Sequence, residues 1–412
     1  MKVLIVNEAD NKGGAAKAAY RLHKSLLEQN IDSYMLVQNK ESDDATILGP
    51  VTKVQRAINK MRPTLDELPV SFYKNRTKII FSPAWLPFSP IVKKINEINP
   101  DIVHLHWVCG GMIKIEDIVK IKAPIVWSLH DNWVFTGGCH IMWDCEKYKD
   151  NCGACPRLGS DDENDLSRKI FHRKEKAFLQ KKDITIVGVS RWLNDCSKTS
   201  TLLKDKRHKN LPNPIDTDIF KPFDKDSSRE LWNLPKDKNL ILFGAMNAIG
   251  DINKGYKLLS EAIQKLQVSD VELVIFGNSE SKEDHIFGYK THYIGYLHDD
   301  ISIVTLYSAV DIMIVPSQQE AFGQTASEAM SCGTPVVSFA TTGLLDIVEH
   351  KKTGYLAKPF VPTDLAKGIE WVLKFESYEE LCQNAREKVL REFDSKVVSR
   401  RYIELYKDIL NG

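Results

Sequence analysis

Short apolar runs alternate with amphipathic segments along the whole chain. The apolar runs of the first half, such as DIVHL at 101–105 and ITIVGV at 184–189, are continuous and rich in β-branched residues, which is typical of parallel strands buried on both faces. Apolar residues recur at helical spacing over 15–28 and predict an amphipathic helix there. Strands that alternate with helices indicate βαβ units and a doubly wound sheet. Strands are predicted at 3–6, 34–37, 102–105, 125–129 and 184–189.

The same alternation begins again after a proline-containing loop at 211–220. We therefore predict an α/β protein of two Rossmann-like doubly wound domains, residues 1–212 and 213–395, that face a central cleft. The amphipathic last segment, 396–412, is expected to pack back on the first domain. Ligands of open α/β sheets bind at the carboxyl ends of the strands, so the cleft is the expected site. Strands of the second domain are predicted at 240–243, 272–276, 293–294, 312–315 and 336–339, and helices at 255–266, 301–309, 325–332, 344–349 and 364–374.

Residues 50–90 are harder to assign to helix or strand. The segment RTKIIFSPAWLPFSP, at 76–90, combines aromatic residues with prolines and has no clean period. We interpret it as an extended loop near an acceptor site.

The composition is that of a globular protein, and the first half of the chain is basic. Of 412 residues, 43% are hydrophobic and 27% charged, and no stretch of about 18 apolar residues predicts a membrane-spanning helix. Residues 1–212 contain 34 Lys and Arg against 25 Asp and Glu, a net charge of +9, whereas the remainder carries 22 − 30 = −8. A basic half favours an anionic partner such as phosphate or lipid headgroups, and the alternative is a solvated helix face. We expect a cytoplasmic protein, peripheral at the inner face of the plasma membrane, with no nucleic-acid partner.

The segment EAFGQTASE, from Glu320 to Glu328, carries the most informative candidate chemistry. A strand ends at Val315, and a helix is predicted to start near Thr325, so the N–H groups of 323–325 would form an anion site suited to a diphosphate. The two carboxylates flank this site, Glu320 in the loop and Glu328 in the predicted first turn. A carboxylate there can receive the two hydroxyls of a ribose. The alternative is that Glu328 only complements the helix dipole and Glu320 is a solvated loop acid.

Two other loops after strands resemble phosphate loops. Lys254 precedes a glycine at a predicted helix start, where a cation would point at a phosphate, although an ordinary surface lysine is the alternative. Gly13 and Gly14 open the first helix and would let the backbone approach a ligand closely, or would only permit tight packing. The pattern is not GxGxxG, so it gives a nicotinamide site little support.

Polar residues also follow the later strands of the first half. His130 ends the strand at 125–129, on the side of the sheet where a sugar hydroxyl or phosphate would bind. His104 and His106 end the preceding strand and are candidates for the same wall. Arg191 follows the strand at 184–189 and is a candidate contact for phosphate or acceptor.

Four of the eight cysteines cluster in GGCHIMWDCEKYKDNCGACP. A CxxC pair followed by proline, with two cysteines upstream, can hold a tetrahedral structural zinc, but the five-residue spacing of the upstream pair is wider than usual. Disulfides and free thiols are the alternatives. The cluster consists of Cys139, Cys145, Cys152 and Cys155.

With these residues assembled, the chain resembles the group 1 glycosyltransferases (glycosyltransferase family 4) of the GT-B fold over essentially its full length. The matching features are the glycine pair after the first strand, the His-Asp pair at 130–131, VGVSRWL, LPNPIDTDIF, Lys254-Gly255, and above all E-x7-E from Glu320 to Glu328 with CGTPVV following. HDNWVFTGGCH with the following cysteines resembles a subgroup involved in bacterial polysaccharide or lipopolysaccharide assembly.

The resemblance implies a retaining, metal-independent hexosyltransferase that moves a sugar from a nucleoside-diphosphate sugar to a glycan or lipid-linked glycan. It assigns Glu320 and His130 to catalysis, Glu328 to the ribose hydroxyls and Lys254 to the diphosphate. No catalytic cofactor is implied. The expected donor-binding set is Gly14, Arg191, Lys254, Phe322, Gly323, Gln324, Thr325 and Glu328.

One feature departs from the family pattern. The family commonly has an arginine shortly before the lysine, and the loop AMNAIGDINK contains none. Either Asn247 or Asn253 takes a weaker role, or Arg191 reaches across. The alternative functions are a GT-B sugar-nucleotide epimerase, which uses a similar fold for different chemistry, and an inactive module that binds sugar nucleotides, which the missing arginine supports.

Overall fold

The chain folds into two compact units in a computed structural model that describes residues 1–244, 250–277, 285–286 and 288–412. One unit comprises Met1–Asn213 with Val398–Gly412, and the other comprises Pro214–Val397. The division after Asn213 lies one residue from the boundary expected from the sequence.

The first unit is built on a seven-stranded sheet in which every strand pair is parallel. The strand order is β3-β2-β1-β4-β5-β6-β7. Because the order reverses between β1 and β4, the topological switch point lies there. The strands are β1 (Lys2–Ala9), β2 (Asp32–Asn39), β3 (Ile47–Leu48), β4 (Ile102–Leu105), β5 (Ile125–Leu129), β6 (Ile184–Gly188) and β7 (Arg207–Asn210), and the helices are α1 (Gly14–Glu28), α2 (Lys53–Asp66), α3 (Ile91–Ile98), α4 (Leu166–Gln180) and α5 (Arg191–Thr199).

The second unit repeats this plan with the strand order β10-β11-β9-β8-β12-β13-β14. All its pairs are parallel except the edge pair β10–β11, and the switch point lies between β8 and β12. The strands are β8 (Asn239–Gly244), β9 (Val271–Phe276), β10 (His285–Ile286), β11 (Tyr289–Gly295), β12 (Ile312–Val315), β13 (Val336–Phe339) and β14 (Gly354–Ala357), and the helices are α6 (Lys225–Leu231), α7 (Tyr256–Ile263), α8 (Asp300–Ala309), α9 (Gln324–Ser331), α10 (Leu344–Ile347), α11 (Pro362–Leu373) and α12 (Tyr378–Glu392). Helix α13 (Ser395–Leu410) follows and lies mostly in the first unit.

The last helix, α13, contributes to the core of the first unit. Val398, Tyr402 and Tyr406 are almost fully buried, in one apolar cluster with Val3 and Ile5 of β1. A central strand such as β1, covered on both faces, needs the unbroken apolar run that the sequence shows. The predicted fold class, an α/β protein with two Rossmann-like doubly wound units, is confirmed.

Helix α2 is the largest departure from the sequence prediction, which placed no element at 50–90. Thr52 caps this helix in a reciprocal capping box with Gln55, and a 3-10 turn, Leu68–Phe72, follows it. The segment 76–90 forms one isolated bridge, from Phe81 to Cys139, and is otherwise without helix or strand. Within the described part of the chain, no helix has both the length and the apolar character needed to cross a membrane.

Candidate functional site

Lys254 and Glu320 meet at the switch point of the second sheet. Lys254 lies in the connection that follows β8, and Glu320 in the one that follows β12. The Lys254 Nζ donates to Glu320 Oε1 at 2.7 Å, and both side chains keep partial exposure, 25% and 18%. Burial works to lower the pKa of Lys254, but the adjacent Glu320 carboxylate outweighs it and raises that pKa above its ordinary value. Lys254 is thus a cation, and the pair is reachable by a ligand.

Gly255 places Lys254 in this position. Its φ is +72°, a left-handed conformation that favours glycine. A Cβ added at Gly255 would lie 2.0 Å from the carbonyl oxygen of Pro316, which is backbone and cannot move aside. Gly255 therefore allows the loop after β8 to pack directly against the loop after β12.

Hydrogen bonds also join the loop that carries Lys254 to the loop that carries Glu320. The Asn253 side chain donates to the Gln319 carbonyl at 2.8 Å, and the Gln318 N–H donates to the Asn253 carbonyl at 2.8 Å. Glu320 is held by its own N–H, which donates to the Thr342 hydroxyl at 2.9 Å. Asn253 thus has a structural partner, and Asn247, the other residue considered for the missing arginine, lies outside the described residues.

The predicted anion site coincides with the start of α9. Gly323, at φ +106°, is the N-cap, and Gln324 is the first helical residue. The first N–H groups of a helix have no acceptor within the helix, which is the reason for expecting an anion site at 323–325. Phe322 is 3% exposed and packs edge-on against Phe393 at 5.3 Å, so its ring anchors the loop.

Glu328 lies deeper in α9 than expected. Because the helix begins at Gln324, Glu328 is its fifth residue and belongs to the second turn, whereas the sequence analysis placed it in the first turn. It is 4% exposed, and the Tyr307 hydroxyl donates to its Oε2 at 3.4 Å. The dipole effect falls off within the first turn, so complementing the dipole does not explain a buried acid at this place.

In the first unit, His130 belongs to a group of histidines at the carboxyl ends of β4 and β5. Its Nε2 lies 2.8 Å from Nδ1 of His106, and the two rings are stacked with centroids 5.0 Å apart. Burial lowers the pKa of His130 to about 4, although Asp131 opposes the shift. His130 is half-buried while His106 is buried, so of the two rings His130 is the one open to a ligand.

The proton on this histidine pair has a preferred place. Nε2 of His106 is buried and has no hydrogen-bond partner among the described residues. A buried N–H without an acceptor is costly, so the arrangement favours a proton on Nδ1 of His106, donated to Nε2 of His130. His130 then carries its own proton on Nδ1 and offers that N–H as a donor.

A second network holds the neighbouring residue, Asp131. His140 Nδ1 lies 2.6 Å from its Oδ2, and the Trp107 indole N–H donates to the same oxygen at 2.8 Å. Burial raises the pKa of Asp131, but His140 and these hydrogen bonds hold it below the ordinary value. Asp131 therefore serves as a fixed, charged acceptor that orders the loop around His130.

The ten candidate binding and catalytic residues divide between the two units. Gly14, the first residue of α1, and Arg191, the first residue of α5, lie with His130 in the first unit. Arg191 is exposed, and Ser190 caps its helix. The other seven candidates lie in the second unit, around Lys254 and the start of α9.

The four clustered cysteines line one small, mostly apolar cavity in the first unit. All four are free thiols, and Cys139 and Cys155 are buried. Backbone N–H groups of Arg157 and Leu158 donate to the Cys155 sulfur. Among the described residues, however, no three His, Cys, Asp or Glu side chains have the arrangement of a metal site. As placed, the thiols do not fit a zinc ion, and the structural zinc stays a prediction that metal analysis of the purified protein tests.

Comparison with known proteins agrees with this geometry. Residues 224–389 match the family described as "Glycosyl transferases group 1", and this range contains Lys254, Glu320 and Glu328. This part of the chain is therefore similar to a group 1 glycosyltransferase domain. The chain is also 27% identical over 350 residues to "Uncharacterized glycosyltransferase MJ1607" of Methanocaldococcus jannaschii, covering 77% of this chain and 86% of the relative.

Solved structures extend the likeness to the whole chain. Sucrose-phosphate synthase of Thermosynechococcus elongatus superposes with a TM-score of 0.69 at 19% identity, covering 100% of this chain and 99% of that one. Alr3699/HepE of Anabaena, solved in complex with UDP and glucose, gives a TM-score of 0.65 at 16% identity, with 99% and 100% covered. At these identities the likeness shows the fold alone, an α/β protein with two Rossmann-like units.

Two residues beside the candidates had no role in the sequence analysis. Tyr307 contacts Glu328, and Thr342 binds the backbone of Glu320. Neither stands in a motif, and both reach the site through the fold of the second unit. His106 did carry a signal, since it ends the strand next to that of His130.

Proposed function

We propose that the protein is a retaining glycosyltransferase that moves a hexose from a nucleoside-diphosphate sugar to a glycan or lipid-linked glycan. The observation that carries the proposal is the charged Lys254–Glu320 pair at the switch point of the second sheet, beside the start of α9. Three features of a diphosphate-sugar site then fall in one unit: a cation, helix N–H groups and a carboxylate.

We propose that the diphosphate of the donor binds the Lys254 ammonium group in place of Glu320. Its oxygens would replace Glu320 as the partner of the ammonium group, with the N–H groups at 323–325 as further donors. When the bond between the sugar and the diphosphate breaks, the electron pair and the negative charge move to the departing phosphate oxygen. Preorganised donors at that oxygen stabilise the transition state more than the ground state. No metal ion is needed for this stabilisation.

Glu320, once released from Lys254, is proposed to contact the sugar near its reacting carbon. Glu328 is proposed to receive the ribose hydroxyls, since a carboxylate accepts from a diol in dinucleotide folds as well. His130 would offer its Nδ1 N–H to a sugar or acceptor hydroxyl, and Gly14 and Arg191 complete the proposed contacts of the first unit.

We further propose that the reaction takes place in the cytoplasm, in the assembly of a cell-surface polysaccharide or lipopolysaccharide. All eight cysteines are free thiols, which suits a reducing compartment. The resemblance of the HDNWVFTGGCH segment to a polysaccharide-assembly subgroup supports the pathway.

A panel of UDP-, GDP- and ADP-sugars tests the proposal through thermal stabilisation and nucleotide release. One nucleotide should stabilise the protein, and Glu328→Ala should abolish that stabilisation. Glu320→Gln should keep the stabilisation and lose turnover. If no nucleotide of the panel shifts the melting temperature, the donor-site assignment is wrong.

The same panel separates the two alternative functions. An altered sugar nucleotide that appears without any acceptor would identify an epimerase. Binding without release in the presence of glycan acceptors would identify an inactive binding module, the function that the missing arginine favours.

A further inference from the structure

His106 is held both by its backbone and by its two neighbouring rings. Its N–H donates to the Val6 carbonyl at 2.9 Å, and its carbonyl accepts the Trp127 indole N–H at 3.1 Å. The centroid of its ring lies 4.3 Å from that of His104 and 5.0 Å from that of His130. In a close-packed interior a ring held in this way cannot turn without displacing its neighbours, so Nδ1 of His106 stays directed at His130.

His104, which contacts one side of this ring, is itself fixed by the last helix. Its Nδ1 lies 2.7 Å from the Tyr406 hydroxyl, and its Nε2 lies 2.8 Å from the Ser128 hydroxyl. The Ser128 oxygen in turn lies 2.9 Å from the Tyr402 hydroxyl. Both tyrosines are buried residues of α13. Because both ring nitrogens of His104 are occupied, its ring is a rigid support for His106.

The hydrogen bonds of His106 and His130 leave one ring nitrogen for a ligand. Nε2 of His106 is buried without a partner, so the proton of His106 belongs on Nδ1 and is donated to Nε2 of His130, 2.8 Å away. Within the part of the chain that the structure describes, no hydrogen bond reaches Nδ1 of His130, and this ring is half-buried where His106 is buried. Nδ1 of His130 is therefore the nitrogen that a ligand meets.

We propose that His106 is a positioning residue that makes His130 an obligatory hydrogen-bond donor. Since Nε2 of His130 accepts the proton of His106, the one proton of a neutral His130 is on Nδ1. His130 then has no free lone pair with which to take a proton from a hydroxyl group. The ligand atom that binds there must offer a lone pair, so a hydroxyl, ether or phosphate oxygen fits and an ammonium group does not.

This inference rests on the proposed function, which gives His130 a contact with the sugar or the acceptor, and it defines the chemistry of that contact. A preorganised N–H aimed at an oxygen stabilises negative charge that develops there. His130 is thereby excluded as the base of the transfer. The proton that an acceptor hydroxyl loses then goes to the departing phosphate oxygen, which gains the electron pair of the broken bond.

Nuclear magnetic resonance of the full chain, labelled with nitrogen-15 histidine, tests the proton position directly. Long-range proton–nitrogen correlation spectra report which ring nitrogen of each histidine carries the proton. The His130 signals are those that disappear in His130→Gln. Near neutral pH, where burial keeps His130 uncharged, wild type should show the proton on Nδ1. A proton on Nε2 of His130 in wild type would overturn the proposal.

Two variants of His106 separate its donor from its volume. His106→Leu removes the donor, whereas His106→Asn restores one, because Nδ2 of asparagine is bonded to Cγ as Nδ1 of histidine is. In His106→Leu the proton of His130 should move to Nε2, and in His106→Asn it should stay on Nδ1. With the active sugar nucleotide, His106→Leu should lower kcat by about 10- to 100-fold, comparable to removing the partner that orients a metal-ligating histidine. His106→Asn should recover most of that loss.

His23 supplies the matched control. It is also a buried histidine of the first unit with both ring nitrogens occupied, 2.8 Å from the Ser33 hydroxyl and 2.7 Å from that of Thr46. His23→Asn should leave the proton position of His130 and the turnover unchanged. The melting temperature of each variant shows whether the fold is retained.

Two further results would contradict the role of His106. If His106→Leu kept the proton on Nδ1 of His130, His106 would not select the proton position. If the proton moved and kcat stayed at the wild-type value, His106 would have no part in the reaction. The spectra need neither donor nor turnover, so a failure of the proposed transfer reaction is recognised separately, as absence of turnover in wild type.

Discussion

At the switch point of the second sheet, the polar side chains are a partly exposed ion pair, Lys254 with Glu320. At the carboxyl ends of β4 and β5 in the first unit, they are neutral rings in closed hydrogen bonds. His104 there lies 2.7 Å from the Tyr406 hydroxyl and 2.8 Å from that of Ser128. An ion pair that keeps contact with water can exchange one partner for an incoming phosphate at little cost, whereas a buried neutral network holds its members in place. The second unit is thus suited to binding a charged ligand and the first to positioning one histidine.

Acidification should destabilise the histidine group of the first unit much more than the ion pair of the second unit. Burial lowers the pKa of His104 to about 3 and of His130 to about 4, and it holds the pKa of His106 well below its ordinary value. An unfolded chain protonates these residues near pH 6.5, so as the pH falls from 6.5 toward 4 the unfolded state binds more protons and stability drops. Each histidine contributes up to about 1.4 kcal/mol per pH unit in this window.

Urea unfolding at a series of pH values measures this loss. His104→Gln removes one of the titrating groups, and its unfolding free energy should change less steeply with pH than that of wild type. Equal slopes would show that the histidine is already protonated in the native protein. Over the same range the raised pKa of Lys254 keeps it a cation.

Removing the ammonium group of Lys254 should lower turnover more than it lowers stability. Lys254→Met should lower kcat by about 10²–10³-fold, the loss typical of one missing donor at a developing charge. Lys257→Met, three residues later on an exposed face of α7, is the control and should keep normal turnover. Steady-state kinetics with the active sugar nucleotide would contradict the account if both variants lost the same activity.

Gly255→Ala tests whether the ion pair depends on close loop packing. The substitution combines positive φ with a Cβ 2.0 Å from the Pro316 oxygen, so we expect a loss of about 3 kcal/mol or more in unfolding free energy. Gly295 has φ +79° and no atom within 4 Å of an added Cβ, so Gly295→Ala should lose only about 1 kcal/mol from backbone strain. Similar losses of unfolding free energy for the two variants would mean that the two loops do not pack closely at Gly255.

The smallest expected effect concerns the hydroxyl of Tyr406. Tyr406→Phe removes one partner of His104 and should cost about 1 kcal/mol of stability, with the steep pH dependence retained. Tyr20→Phe on α1, where the ring is half-buried, is the control and should be close to neutral. Thermal unfolding compares the two, and an unchanged melting temperature for Tyr406→Phe would remove this bond from the network.

Much of the fold could be predicted because its strands are buried. The runs at 102–105, 125–129, 312–315 and 336–339 coincide residue for residue with strands, since continuous apolar sequence in an α/β protein has little alternative. Strand β7 has the sequence RHKN, an exposed edge without an apolar signal, and was missed. Helix α2 was missed although its apolar residues recur at helical spacing, and no local pattern marks that these residues are exposed.

The candidate site was predicted less completely. The contact between Lys254 and Glu320 follows from strand order, which places β8 beside β12 although the two residues are 66 positions apart. The second-turn position of Glu328 depended on a helix start one residue earlier than expected. The partners Tyr307 and Thr342 lie on other elements, and no local pattern marks them.

Calorimetric titration of the full chain with UDP, GDP and ADP, and with the matching nucleosides, measures whether Lys254 binds the diphosphate of the donor. One diphosphate should bind at least about tenfold tighter than its nucleoside, through charge-assisted hydrogen bonds to the phosphates. That advantage should disappear in Lys254→Met and persist in Lys257→Met. Binding of the diphosphate to Lys254→Met as tight as to wild type, or no binding of any of the three diphosphates, would contradict this prediction.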